Sequence, residues 1–291
     1  MDIFEHTLSY LTVVDGEVVC NDGSRFDRES YSRFKYGWLP PAIEYGNGLA
    51  NLVGDEIIEH SSVARTYVVS APYKFVPTAS HAIARAFVDR LSHRAIRKGV
   101  EPPFLLPFHK SRPGSSAYAQ STEADRQRSL ATLGLHIDES RIPGSNLVVL
   151  DDIRITGSAQ KASRAFLERF EPRAVWYLHA ARLDEATAIA DPGLEDKLNQ
   201  SLQHTLRRFV DEYVRGEFQL NTRVLRWILE SDQTELKTFV AYAPVELLES
   251  ILSAAIGTGV AYYNKYIDSI TMVCNELECY RRPLGTDRVN A

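Results

Sequence analysis

The stretch that most constrains this chain is Leu147-Val148-Val149-Leu150-Asp151-Asp152-Ile153-Arg154-Ile155-Thr156-Gly157-Ser158-Ala159-Gln160. Its opening apolar run, without alternation, predicts a strand buried on both faces, the habit of a parallel sheet. The paired carboxylates Asp151 and Asp152 follow at its carboxyl end, where open α/β sheets place their ligands. Thr156-Gly157-Ser158-Ala159 then opens an amphipathic helix with Ala162, Phe166, Leu167 and Phe170 on its inner side. A turn of small residues at a helix start leaves backbone N–H groups free for an anion such as a phosphate. The carboxylates suit a neighbouring diol or a divalent cation instead. Diol, phosphate and cation together describe a ribose 5-phosphate.

The rest of the chain alternates in a way that supports such a sheet. Residues 7–20 predict a hairpin turning at Asp15-Gly16, a strong turn dipeptide between β-rich runs. Pro40-Pro41 opens a helix over about 41–53, weakened by Gly46 and Gly48. Ala64–Ser70 predicts a core strand, and a helix runs from about Ser80 to Lys98 with Ile83, Phe87 and Leu91 on one face and Gly99 as its stop. Phe104–Phe108 is a short strand placed at an edge by Pro107. His109–Ser121 is a polar loop of the length of a functional lid, and Thr122 begins another helix. Ala174–Ala180 is a further strand, so strands and helices alternate as in a parallel sheet with right-handed crossovers. From about residue 191 the periodicity is helical throughout, over 195–215, 221–230, 244–256 and 258–280, with starts at Asn221-Thr222 and Pro244 and breaks at Gly216 and Gly257.

Composition narrows the function classes. Hydrophobic residues make up 44% and charged residues 24% of the 291, the balance of a globular enzyme. A net charge of −5 argues against nonspecific nucleic-acid binding. No apolar run has the length of a membrane span, and the start Met1-Asp2-Ile3-Phe4-Glu5-His6 is no signal peptide. Cys20, Cys274 and Cys279 lack a zinc-type spacing, so reduced thiols in a cytoplasm are expected.

The apolar strand, the acidic pair and the Thr-Gly turn three residues beyond it resemble the phosphoribosyl-diphosphate (PRPP) loop of type I phosphoribosyltransferases. The resemblance implies an α/β fold with a parallel sheet, flanking helices, an amino-terminal β-rich hood and an all-helical carboxyl-terminal extension. It implies a hood over residues 1–62, a core over 63–190 and a helical region packed on that core over 191–291. By the same resemblance Asp151 and Asp152 meet the ribose hydroxyls, and Thr156, Gly157, Ser158 and Ala159 cradle the 5′-phosphate. Many members carry a hydroxyl residue where this chain has Ile155, and another where it has Ala159, so here the backbone must supply more of the phosphate contacts.

The strand–loop–helix through Ser70, Ala71, Tyr73 and Lys74 stands where such enzymes bind pyrophosphate, with Lys74 as the basic contact. Lys110 and Arg112 on the lid would neutralise the leaving pyrophosphate, and with the acidic pair they are the expected catalytic groups. Mg²⁺ is the implied cofactor, held mostly through PRPP oxygens or water with Asp151 and Asp152 nearby. Tyr31-Ser32-Arg33-Phe34-Lys35-Tyr36-Gly37, upstream of the loop, is similar to the branch found with bacterial tellurite-resistance and stress-response gene clusters. There Tyr31, Arg33 and Lys35 are expected hood contacts. The implied activity is transfer of ribose 5-phosphate to a nitrogenous acceptor in a cytoplasmic stress-response setting, with a homodimer or complex partners. Two other readings stand beside it: a PRPP-binding regulator without turnover, and a scaffold acting through its helical tail.

Overall fold

The computed structural model describes residues 1–111, 134–191 and 193–281. The chain divides into two compact units, Met1–Gln203 and His204–Ala291.

The first unit is built on a six-stranded sheet of order β2-β1-β8-β7-β3-β4. Its strands are β1 (Asp2–Val14), β2 (Glu17–Cys20), β3 (Thr66–Ser70), β4 (Phe104–Leu105), β7 (Asn146–Arg154) and β8 (Ala174–Leu183), while β5 (His109–Lys110) and β6 (Leu135–His136) pair separately. All neighbours in the large sheet run parallel except the β1–β2 hairpin. That hairpin turns at Asp15-Gly16, both at positive φ (52° and 79°), which matches the twist of the strands it joins. The segment expected as the start of the hood contributes β1 and β2 to the sheet, with β1 lying parallel beside β8. Sequence could not foresee this, because the pairing joins residues about 170 positions apart. β4 stands at the edge, where Pro107 just beyond it removes no needed ladder bond.

Two layers cover the sheet. On one face α2 (Leu39–Ser61) and α3 (Ser80–Arg97) pack Leu49, Val53, Ile57, Ile83, Phe87 and Leu91 onto Val68, Val148, Leu150 and Trp176. On the other, α4 (Ser158–Leu167) contributes Phe166 and Leu167 to a core with Tyr67, Leu147, Val149, Val175 and Tyr177. α2 is one helix of 23 residues, not the short interrupted one expected. The glycines that argued for breaks serve close packing. A Cβ on Gly46 would lie 2.7 Å from both Ala86 Cβ and the Ile83 carbonyl oxygen of α3. The two helices touch backbone to backbone there, so Gly46→Ala is expected to cost about 1–3 kcal/mol in a urea unfolding curve. An unchanged midpoint would contradict this close approach.

The second unit is helical over its described residues: Leu206–Val214, Thr222–Glu230, Gln233–Tyr242, Val245–Thr258, Val260–Lys265 and Ile267–Arg281. Asn221 caps its helix by accepting from the backbone N–H groups of Arg223 and Val224, and Gly216 stops the preceding one at φ 71°. The later break falls at Gly259 (φ 109°), leaving Gly257 inside a helix. The helix Gln233–Tyr242, absent from the sequence expectation, is announced by Asp232, which caps Thr234 and Glu235. Among the described residues no helix is long and apolar enough to cross a membrane.

Candidate functional site

Strand order places the site. β3 and β7 are adjacent, yet the helices that follow them, α3 and α4, lie on opposite faces of the sheet. This is a topological switch point, where the two following loops diverge and leave a crevice. Ser70 stands in register with Leu150, so the Ser70–Lys74 loop begins beside Asp151. The two stretches singled out in the sequence meet at the same end of the sheet.

The acidic pair belongs to the last residues of β7, and alternation along the strand gives its members different neighbours. Val148 and Leu150 lie in the core under α2 and α3, and Asp152 follows that parity. Leu147 and Val149 lie in the core under α4, and Asp151 follows the other. Asp152 is buried and its Oδ2 accepts from Lys35 Nζ in an ion pair, with Glu195 Oε1 3.6 Å from the same ammonium. Burial alone would raise the Asp152 carboxyl, but the Lys35 ammonium outweighs it and holds the group below its ordinary value. Asp151 has no ion pair among the described residues. Burial, reinforced by the negative charge of Asp152, pushes its carboxyl well up. One member of the pair is therefore a fixed anion and the other a carboxyl with a carboxylate neighbour on the next residue.

Lys35 comes from α1 (Arg28–Lys35), a helix capped by Asp27 and followed by Gly37 at φ 93°. Of the three residues expected to contact ligand from this segment, Lys35 reaches the strand-end acids. Tyr31 is fully buried in an aromatic pile with Phe26 and Phe34. Arg33 stacks its guanidinium 3.6 Å from the centre of the Trp38 ring. The α1 helix is clasped by Ser32 Oγ donating to the Asn199 carbonyl and Ser201 Oγ donating to the Arg28 carbonyl.

Gly157 adopts φ 74° and leads directly into α4, as a tight turn into a helix requires. No side chain caps this helix, apart from a 3.5 Å contact from the Ser158 N–H to Thr156 Oγ1. Thr156 and Ser158 share a 2.8 Å hydroxyl contact. Ile155, which stands where many members of the resembled family carry a hydroxyl residue, is buried in the core, so its side chain supplies packing and no donor. Arg154 lies against the turn, with Nε 3.0 Å from where a Gly157 Cβ would stand, and its Nη1 donates to Glu5 Oε2 at 2.6 Å.

Across the crevice, the Ser70–Lys74 loop is fastened to the segment that follows β4. The Tyr73 N–H donates to the Phe108 carbonyl at 3.1 Å and the Lys110 N–H to the Tyr73 carbonyl at 2.9 Å. Tyr73 is buried, edge-on to His81 and His109, so it shapes the loop and Lys74 next to it stays exposed. Ser70 Oγ lies 3.3 Å from His81 Nδ1. Burial lowers the Lys110 amine, and the nearby Asp151 carboxylate partly offsets this. Arg112 and most of the expected lid lie outside the described residues. Sequence reasoning missed Glu195, whose only signal was its place in an ordinary helical period.

No trio of His, Cys, Asp or Glu arranged for a metal ion occurs among the described residues. Asp152 is already paired with a lysine, which leaves Asp151 as the carboxylate able to meet a cation or its water. These residues fit a Mg²⁺ that arrives with a diphosphate ligand and takes most of its oxygens from that ligand.

A mostly parallel sheet with a switch point, an acidic strand end and a left-handed glycine turn opening a helix defines an open α/β protein. Residues 16–273 match the family described as PRTase ComF-like, PRTase standing for phosphoribosyltransferase, and the chain belongs to that family. Among solved structures it is similar to a hypoxanthine phosphoribosyltransferase from Staphylococcus aureus, at 10% identity and a TM-score of 0.32, covering 49% of this chain and 76% of that one. It is also similar to a hypoxanthine phosphoribosyltransferase from Trypanosoma cruzi in a ternary substrates complex, at 11% identity and a TM-score of 0.33, covering 50% and 79%. No curated protein matches the chain.

Proposed function

We propose that the protein binds PRPP at the carboxyl ends of β3 and β7 and transfers its ribose 5-phosphate to a nitrogenous acceptor, releasing pyrophosphate. The observation that supports this best is the register of Ser70 with Leu150, which sets a loop suited to pyrophosphate beside the acidic strand end and the Gly157 turn. In this reading the α4 amides from Ser158 onward take the 5′-phosphate, helped by Thr156 and Ser158. Asp151 accepts from a ribose hydroxyl, and Asp152 holds the second one once its lysine yields. Ser70, Ala71 and the exposed Lys74 receive pyrophosphate, and Lys110 adds positive charge as it leaves. Mg²⁺ bound with PRPP would neutralise diphosphate charge.

Positioning carries most of such a reaction, since holding reactants in line can remove on the order of 7–11 kcal/mol of barrier. The protein's part is to fix the sugar at two ends, diol and phosphate, while the anomeric carbon loses its leaving group. A carboxylate beside the ribose also stabilises positive charge developing on the ring. The resemblance of the Tyr31–Gly37 segment supports a stress-response setting. A regulator that binds PRPP without turnover is the second reading, favoured by Ile155, which puts a buried aliphatic side chain in the phosphate loop where many family members carry a hydroxyl residue.

Calorimetric titration with PRPP and Mg²⁺, together with assay of pyrophosphate release over a panel of nucleobases, tests both. Binding with release supports the transferase, binding without release the regulator, and no binding removes the site assignment. The phosphate cradle has its own check in Gly157→Val. Both the positive φ and the Arg154 guanidinium 3.0 Å away oppose a side chain there. The variant is expected to weaken PRPP and ribose 5-phosphate about tenfold or more, on the order of 1.4 kcal/mol. Pyrophosphate alone should bind as before, and equal losses for it would contradict the division of the site.

A further inference from the structure

We propose that Glu5 is a positioning residue for the phosphate turn Thr156–Ala159: its one carboxylate grips both ends of the turn and keeps Gly157 in place. The inference rests on the sugar-phosphate reading of the site. It brings in a residue of β1 that lies ahead of the family match over 16–273. Ile3 packs into the core under α4, and Glu5 shares its face of the strand. Since β8 lies between β1 and β7, Glu5 acts on the site across a whole strand. Its two oxygens are divided between the two ends of the turn. Oε2 accepts from Nη1 of Arg154, the last residue of β7, at 2.6 Å. Oε1 accepts from Nε2 of Gln160, in the first turn of α4, also at 2.6 Å. Arg182, in register with Arg154, places its Nη1 3.9 Å from the same Oε2.

The clasp also sets where Arg154 sits. Its Nε and Nη2 lie 3.0 and 3.3 Å from where a Gly157 Cβ would stand, so the guanidinium is a wall against which the turn rests. Burial alone would raise the Glu5 carboxyl, but Arg154 and Gln160 outweigh it and hold the group below its ordinary value, so the clasp is ionised at neutral pH. This turn depends on such a support. Ile155 and Ala159 carry no hydroxyl, so phosphate must be met largely by backbone N–H groups, and their direction is fixed by the conformation of the turn. Removing Glu5 releases the strand end and the helix start together. The turn then spends less time in the shape that receives phosphate, and apparent affinity falls by the same fraction. The Glu5 and Arg154 side chains are 37% and 20% exposed, and wet ion pairs contribute little to folding. The loss should therefore appear in binding and hardly in stability.

The test is Glu5→Ala, with PRPP, ribose 5-phosphate and pyrophosphate as separate calorimetric probes and thermal unfolding of the ligand-free protein as control. The unfolding temperature should stay within a few degrees of the parent. PRPP and ribose 5-phosphate should bind about three- to tenfold more weakly, and pyrophosphate, which does not use the turn, should bind unchanged. Gln160→Ala opens only the helix end of the clasp and should lose part of the same affinity. Adding Glu5→Ala to it should then cost less than Glu5→Ala costs in the parent, since both act through one clasp. If Glu5→Ala does not fold, Glu5→Gln, which keeps one acceptor, and its combination with Gln160→Ala carry the same expectations. Parent-like binding of both sugar phosphates by Glu5→Ala, losses that simply add in the double variant, or an equal loss for pyrophosphate would overturn the inference while the parent's own binding still supports the site. A parent protein that binds neither sugar phosphate would overturn the reading of the site and this inference with it.

Discussion

Lys35→Met is expected to lower folding stability by about 3–5 kcal/mol at neutral pH, because it strands the buried Asp152 carboxylate without its cation. The methionine keeps the stem and its packing, so the loss reports the charge. The pH dependence gives the mechanism its signature. In the parent the Asp152 carboxyl is held below its ordinary value of 3.8. The stability it contributes is therefore fully present above that value and disappears as pH falls through the lowered one. In the variant the same carboxyl, buried without a cation, is raised, and it is relieved by protonation at a higher pH. The difference between the two proteins should be largest near neutrality and shrink as the solution is acidified through the variant's raised value. Urea titrations at neutral and acidic pH measure it. A difference that stays constant with pH would mean that methionine disturbs packing and that the ion pair contributes little.

Asp151→Asn should act in opposite directions on stability and binding. Burial and the adjacent Asp152 charge raise the Asp151 carboxyl well above its ordinary value. A carboxyl raised in the folded state opposes folding wherever it is ionised, so at neutral pH the isosteric amide should raise the unfolding temperature. The gain should vanish at acid pH, where both proteins are neutral at this position. The amide can still donate to a hydroxyl but has lost the charge that strengthens the contact. Each lost charge-assisted hydrogen bond is worth roughly 1.5–3 kcal/mol, so PRPP affinity should fall on the order of ten- to a hundredfold. A variant that is more stable yet binds poorly is the behaviour of a residue retained for function. A less stable variant with unchanged PRPP binding would place the ribose elsewhere.

The local features of the site were legible in the sequence because local rules set them. A buried apolar run announces a central parallel strand, so Leu147–Leu150 gave away β7. The need for positive φ before a helix explains Gly157, and the turn dipeptide Asp15-Gly16 marked the hairpin. Gly99 at φ 68° ends α3 where the apolar face ends. Glycine misled at Gly257, which lies inside a helix two residues before the real break, and at Gly46, which reads as a helix breaker along the chain but across it lets α3 approach.

Tertiary structure decided which charges meet. Sequence presents Asp151 and Asp152 as one pair serving one diol. The strand's period of two turns them towards different layers, one to Lys35 and Glu195, the other towards Lys110. Lys35 and Glu195 are separated from Asp152 by long stretches of chain; Glu195 carries no pattern that marks it, and Lys35 was marked only as a hood contact, not as a partner of Asp152. Only the packing of α1 and Leu194–Asn199 beside the end of β7 brings three segments within ion-pair distance. Burial then decides what those charges are worth, since a contact that would count for little in water becomes costly to break inside. By itself the sequence determined the strand, the turn and the helix start, which follow from backbone sterics and periodicity within a few residues. The fold alone determined the electrostatic partners, because long-range charge pairing depends on which surfaces the core brings together.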